Sequence, residues 1–140
     1  MEGSNERQEN KEVISSMKTY HMSLLEADSK KITGLVINIF GDKCWFLNGK
    51  IHREDGPAFE WSDGDKEWYL NGKLHREDGP AIERANGDKW WYLNGLCHRE
   101  DGPAILFPDG DEWWYLNGEI QTEQEWKIEM RKKKIGKLLV

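Results

Sequence analysis

The string W-[FY]-L-N-G begins at Trp45, Trp68, Trp91 and Trp114, each 23 residues after the last. A fixed period of that length means that the chain folds as stacked copies of one small unit. Two further features keep the same step. His-Arg-Glu-Asp-Gly-Pro-Ala recurs from His52, His75 and His98, and a Gly-Asp pair recurs at Gly41-Asp42, Gly64-Asp65, Gly87-Asp88 and Gly110-Asp111. A globule with one central core has no use for such translation, whereas units that touch only their neighbours do.

Stacked by period, the residues fall into columns. Val36, Phe59, Ile82 and Ile105 form one that is apolar throughout, and Ile51, Leu74, Cys97 and Ile120 form a second. Leu47, Leu70, Leu93 and Leu116 lie two residues after the tryptophans, so under the two-residue period of a strand Trp and Leu share a face. Phe46, Tyr69, Tyr92 and Tyr115 then look the other way. Gly34 to Gly41 fills the positions held later by the Gly-Pro-Ala-[Phe/Ile] stretch, so a degenerate half-repeat precedes the first full one.

Short runs rich in Trp, Tyr, Ile and Leu, broken every few residues by Asn-Gly, Asp-Gly or Gly-Pro, read as strands and turns. Asn-Gly at 48–49, 71–72, 94–95 and 117–118 is a strong hairpin signal, because a type I′ turn needs two residues that tolerate positive φ. Each period holds three turn-like signals, and three reversals would point successive repeats in opposite directions. One of the three must therefore bend the chain without reversing it, and Asp-Gly-Pro is the candidate, since proline in a sheet is confined to edges and bulges. The expected fold is mainly β: an elongated antiparallel meander of stacked hairpins with two strands per repeat.

These residues resemble MORN-type repeats, and more closely the 23-residue MORN-variant repeats of bacterial, phage and giant-virus proteins. The match runs from about Gly34 to Gly118. The family pattern of an aromatic pair, N-G-K-x-H, a glycine turn, an apolar strand and a D-G turn is met by Trp68-Tyr69-Leu70-Asn71-Gly72-Lys73-Leu74-His75 through Asn86-Gly87. His-Arg-Glu-Asp-Gly-Pro-Ala in place of His-Gly-x-Gly is the variant's form. The resemblance implies a twisted single sheet that serves as a binding or assembly surface without catalytic machinery. It also implies an accessory protein of a phage, virus or bacterium.

Charge narrows the partner. The net charge is -6, and residues 41–118, with 9 basic and 16 acidic side chains, sum to -7. This argues against direct nucleic-acid binding through a broad basic face and against the lipid binding attributed to the better-known MORN form. It favours a protein partner with a basic patch. No run approaches the roughly 20 apolar residues of a membrane span, and MEGSNERQENKE lacks the basic and apolar regions of a signal peptide. With two cysteines and no disulfide framework, the expected setting is cytoplasmic.

The ends depart from the repeat. Thr122-Glu123-Gln124-Glu125 is a capping-box pattern, so a capping helix is expected from near Glu123, with Trp126 and Met130 facing the last hairpin. Arg131-Lys132-Lys133-Lys134 is placed at the end of that helix, as a match to its dipole or as a partner patch. Residues 1–12 read as a flexible tail. Val13, Met17, Tyr20 and Leu24 recur at helical spacing, so 13–33 is a cap built as a short helix or a decayed repeat. The domain plan is thus tail 1–12, cap 13–33, array 34–118 and capping helix 119–140.

No catalytic, metal or cofactor site is expected. His52, His75 and His98 are about 10 Å apart at two strands per repeat, whereas the ligands of one zinc lie about 2 Å from it. With Arg53, Arg76, Arg99, Asp55, Asp78 and Asp101 they form a repeat signature, read as local hydrogen bonds and ion pairs. Cys44 stands in a column with Glu67, Trp90 and Trp113, and Cys97 in an aliphatic one, which disfavours pairing. The expected function is a non-enzymatic protein-interaction module that binds and modulates or inhibits a partner, including a host-defence nucleic-acid enzyme. Its surface is one aromatic ladder, either Phe46, Tyr69, Tyr92 and Tyr115 or Trp45, Trp68, Trp91 and Trp114, the other being core. Two alternatives stand: a nucleotide stacked on the ladder with its phosphate held by Arg53, Arg76 or Arg99, and an antitoxin-like role.

Overall fold

A computed structural model describes residues 18–139. Their elements are β1 (Thr19–His21), α1 (Leu24–Ser29), β2 (Gly34–Ile37), β3 (Lys43–Leu47), β4 (Lys50–Ile51), β5 (Phe59–Glu60), β6 (Lys66–Glu67), β7 (Tyr69–Leu70) and β8 (Lys73–Leu74). They continue with β9 (Ile82–Glu83), β10 (Lys89–Trp90), β11 (Tyr92–Leu93), β12 (Leu96–Cys97), β13 (Ile105–Leu106), β14 (Glu112–Leu116), β15 (Glu119–Gln121) and α2 (Glu123–Leu138). The main sheet runs β1-β2-β3-β5-β6-β9-β10-β13-β14-β15, with β4 alongside β3. Apart from the parallel β1–β2 pair at its edge, it is an antiparallel meander with two strands per repeat.

Why the strands are so short is visible at the tryptophans. Before Trp68, Glu67 pairs with Phe59 and Ile82 in the main sheet. After it, Tyr69 and Leu70 pair with Leu74 and Lys73 in a separate two-stranded hairpin. Trp68 is the crossing point: its N–H donates to Ala81 O at 2.8 Å and its carbonyl accepts from His75 N at 3.0 Å. Trp91 does the same with Ala104 and His98. Because β8 runs antiparallel to β7, and β9 antiparallel to the collinear β6, the His-Arg-Glu-Asp-Gly-Pro loop shifts the chain sideways without reversing it. The two reversals are Asn-Gly and the Gly-Asp turn. At Asn-Gly both residues have positive φ, 51° and 77° at Asn71 and Gly72, as a type I′ turn requires.

The column Val36, Phe59, Ile82 and Ile105 is buried throughout. Phe46 joins Ala27, Val36, Cys44 and Phe59 in one core cluster, against which Tyr69 packs, while Tyr92 and Tyr115 pack on a second cluster of Cys97, Ala104 and Ile105. The second apolar column fades along the array, from half-buried Ile51 and Leu74 and buried Cys97 to Ile120, which is 64% exposed. Both cysteines are free and buried. Among the described residues no helix is long and apolar enough to cross a membrane.

The ends differ from expectation in two respects. Val13 and Met17 lie outside the described residues, but Tyr20 belongs to a strand and not to a helix: β1 pairs with β2 and Tyr20 packs on the first core cluster. Sheet pairing there depends on Gly34, where a Cβ would stand 2.3 Å from Lys18 O. The helix starts only at Leu24, behind a Ser23–Glu26 capping box. At the other end α2 begins behind the Thr122–Glu125 capping box but continues to Leu138. Arg131 to Lys134 therefore lie inside the helix, and Lys137 is the basic residue of its last turn. Nothing in Ile135-Gly136-Lys137-Leu138 stops a helix, since one glycine costs only about 1 kcal/mol.

Candidate functional site

The two aromatic ladders part company across the sheet. The Phe/Tyr ladder is on the core side, and the Tyr69 hydroxyl donates to Glu67 at 2.9 Å. The Trp ladder lies on the other side, under the arginines of the repeated loop. Arg53, Arg76 and Arg99 place their guanidinium carbons 4.1, 3.9 and 3.9 Å from the ring centroids of Trp45, Trp68 and Trp91. Each arginine is held there from two sides. Its Nε donates to the aspartate two residues on, Asp55, Asp78 or Asp101, at 2.7 to 2.9 Å. One terminal nitrogen donates to the carbonyl of Pro57, Pro80 or Pro103 at 3.0 to 3.2 Å. The Arg76 hydrogen bond and charge hold the Asp78 carboxyl below the usual carboxylate range, so the pair stays ionised. The glycine of each loop is fitted to this arrangement, since a Cβ on Gly79 would stand 2.9 Å from Arg76 Cζ.

The histidines link repeats. Nδ1 of His52, His75 and His98 accepts the backbone N–H of Asn71, Asn94 and Asn117 at 2.9 to 3.0 Å, the first turn residue of the next hairpin. A neutral ring then carries its proton on Nε2, which faces Glu54, Glu77 or Glu100 at 3.7, 3.6 and 3.3 Å. The signature residues are thus brought together loop by loop, and no two loops share a histidine site. Among the described residues no group of three or more His, Cys, Asp and Glu is placed to hold a metal ion.

Between successive loops open two clefts. One, of about 900 Å³, has Trp68 and Leu70 as its floor and the loops of Arg53–Gly56 and His75–Asp78 as walls. The next, of about 730 Å³, repeats this with Trp91 and Leu93 between the loops of Arg76 and Arg99. With the arginines turned down onto the indoles, the carboxylates face outward: Glu77, Asp78 and Asp101 are each more than four-fifths exposed. The clefts are therefore aromatic at the base and acidic at the rim.

At the end of the array the loop is missing and α2 stands in its place. Trp126 packs on Trp114 with ring centroids 4.7 Å apart, where repeats one to three put an arginine. Its Nε1–H donates to the carbonyl of Arg99 at 2.9 Å, and Lys133 pairs with Glu100, holding that carboxyl below its ordinary range mainly through the hydrogen bond. The helix closes over the position that a third cleft would occupy.

A second row of ties runs along the Gly-Asp turns. Asp42 Oδ1 accepts Ser62 N at 2.8 Å and Asp65 Oδ1 accepts Ala85 N at 2.7 Å. The next position is Pro108, which has no N–H to give. Arg84 adds contacts to Asp65 at 2.8 Å and Glu67 at 3.1 Å. The sequence carries only a trace of these ties, the Asp at a fixed place in every turn. Thr33, whose hydroxyl takes the Asn48 N–H at 2.9 Å where later repeats use histidine, leaves no trace there because it falls outside the period. Compared with protein-family models, curated proteins and solved structures, the chain matches none.

Proposed function

We propose that the chain is a non-enzymatic protein-interaction module whose row of Trp-floored, acid-rimmed clefts occupies a basic surface of a partner protein. The observation that carries this reading is the orientation of the repeated loop. Arginine is drawn inward onto tryptophan, so each loop presents carboxylates beside an aromatic floor. Such a rim steers a cationic partner in by long-range attraction, and the aromatic floor supplies the desolvated contact that dominates binding energy. A MORN-variant accessory protein of a phage, virus or bacterium that blocks the nucleic-acid groove of a defence enzyme fits this chemistry. Nucleotide capture fits less well, because Arg53, Arg76 and Arg99 already bond to a carboxylate and a carbonyl and a phosphate would have to displace them.

The test is affinity capture from host lysate at low ionic strength with the wild-type chain and with Glu77→Lys. A partner retained by the first and released by the second supports the reading. Equal retention by both, or a nucleotide in the native mass spectrum of the purified protein, overturns it.

A further inference from the structure

The geometry points to a specific occupant for the two open clefts: a partner helix that inserts an indole toward the loop and sets a lysine seven residues later on the loop's glutamate. The inference rests on the reading that the cleft row is the binding face. It draws on the one place where an indole from a helix takes the seat over a ladder tryptophan. At the array's end α2 puts the Trp126 indole on the ladder, gives its N–H to the Arg99 carbonyl and brings Lys133 to Glu100. Trp126 and Lys133 are two turns apart, on the same face of the helix, about 10 Å along its axis.

The repeat makes the other clefts near-copies of that position. One period earlier, Trp91 stands for Trp114, the Arg76 carbonyl for that of Arg99, and Glu77 for Glu100. One period before that stand Trp68, the Arg53 carbonyl and Glu54. Glu77 is 84% exposed and faces the His75 ring at 3.6 Å beside an open cleft, whereas Glu100, besides facing His98, takes Lys133. The open clefts differ from the closed one in what covers the floor. There the guanidinium of Arg76 or Arg99 holds the seat that Trp126 takes on Trp114, so an incoming indole stacks on the outer face of that cation. Charge agrees too: α2 contributes its lysine to an array that carries -7 over residues 41–118. A helix with this spacing and net positive charge is the complement that the fold itself displays.

The helix of this chain supplies the probe. A fluorescein-labelled synthetic peptide of residues 119–140 is titrated with the full-length protein at low ionic strength and followed by anisotropy. Saturable binding is expected, weakened about tenfold or more by E54Q/E77Q in the protein and by W126A or K133A in the peptide. Circular dichroism of E54Q/E77Q, whose substitutions are at exposed loop tips, checks that the fold is kept. The proposal is overturned by absence of saturable binding, or by binding that E54Q/E77Q leaves unchanged. It is equally overturned by binding that only E100Q weakens, which would mean that the peptide exchanges with the resident α2. A peptide that fails while partner capture still depends on Glu77 would reject the helical occupant and leave the binding face standing.

Discussion

Asp42 shows how much of the stability rests on single charged groups in the turns. Hydrogen bonds from Ser62 N–H and then from the Asn38 side chain hold its carboxyl below the usual range. For Asp65, burial pushes upward but is outweighed by Ala85 N–H and Arg84. A carboxyl with a lowered folded pKa stabilises the fold fully above its unfolded value, near 4, and loses that contribution as pH falls through the folded value. The urea midpoint is therefore expected to hold between pH 7 and 5 as far as these groups go, and to drop below about pH 4. D42N should be less stable at pH 7, since an amide then faces the Asn38 amide, yet lose less on acidification. The cysteines give a second check at this scale. Burial, aided by the charge of Glu67, pushes the Cys44 thiol to about 12, and burial pushes Cys97 to about 11. Since the thiolate is the reactive form, neither should be labelled by iodoacetamide at pH 7.5 in the folded protein, and both should be labelled in urea.

At the scale of elements, the Asn-Gly hairpins are four copies of one turn in different surroundings. A Cβ on Gly72 meets only the Lys50 side chain at 3.9 Å, whereas one on Gly49 would stand 2.9 Å from Lys31 Cα and 3.0 Å from Asp28 O. G72A should cost about 1 kcal/mol for the positive φ alone. G49A should cost clearly more, because the backbone after α1 must move; urea denaturation of the two variants makes the comparison. In α2, Gly136 has nothing within 4 Å of a Cβ, so G136A should stabilise the helix by about 0.5 to 1 kcal/mol, while T122A should cost about 1 kcal/mol by removing the cap. Helicity and the midpoint of thermal unfolding report both. These elements were the most legible part of the sequence. Asn-Gly, the non-reversing Asp-Gly-Pro and Thr122-x-x-Glu125 each carry a local physical cause that needs no tertiary information. Tyr20 was not legible, because its place depends on an edge pairing that only the approach of Lys18 to Gly34 reveals.

For the whole molecule, the fixed step of 23 residues means that each repeat makes its contacts with the neighbours on either side. Deleting one cassette, residues 69–91, joins Trp68 to Tyr92 and restores the same register. The shortened chain is expected to fold cooperatively, with one cleft in place of two and a lower midpoint, as circular dichroism and urea denaturation would show. The candidate site was half legible at this scale. The period showed that Trp, His, Arg, Glu and Asp recur together, but not that Arg lies on Trp while His reaches the next hairpin, because both depend on how the loop folds back over the sheet. The role of α2 as a stand-in for a missing loop was likewise hidden, since Trp126 matches no position of the repeat. The proline at 108 has a further consequence for how the molecule comes apart. Neighbouring turns are stitched through Asp42 and Asp65, and the stitching stops where Pro108 withholds its N–H. The seam is thus unlocked next to β14 and closed toward α1, so amide hydrogen exchange is expected to spread inward from the capping-helix end, with the strands around Val36 the last to exchange.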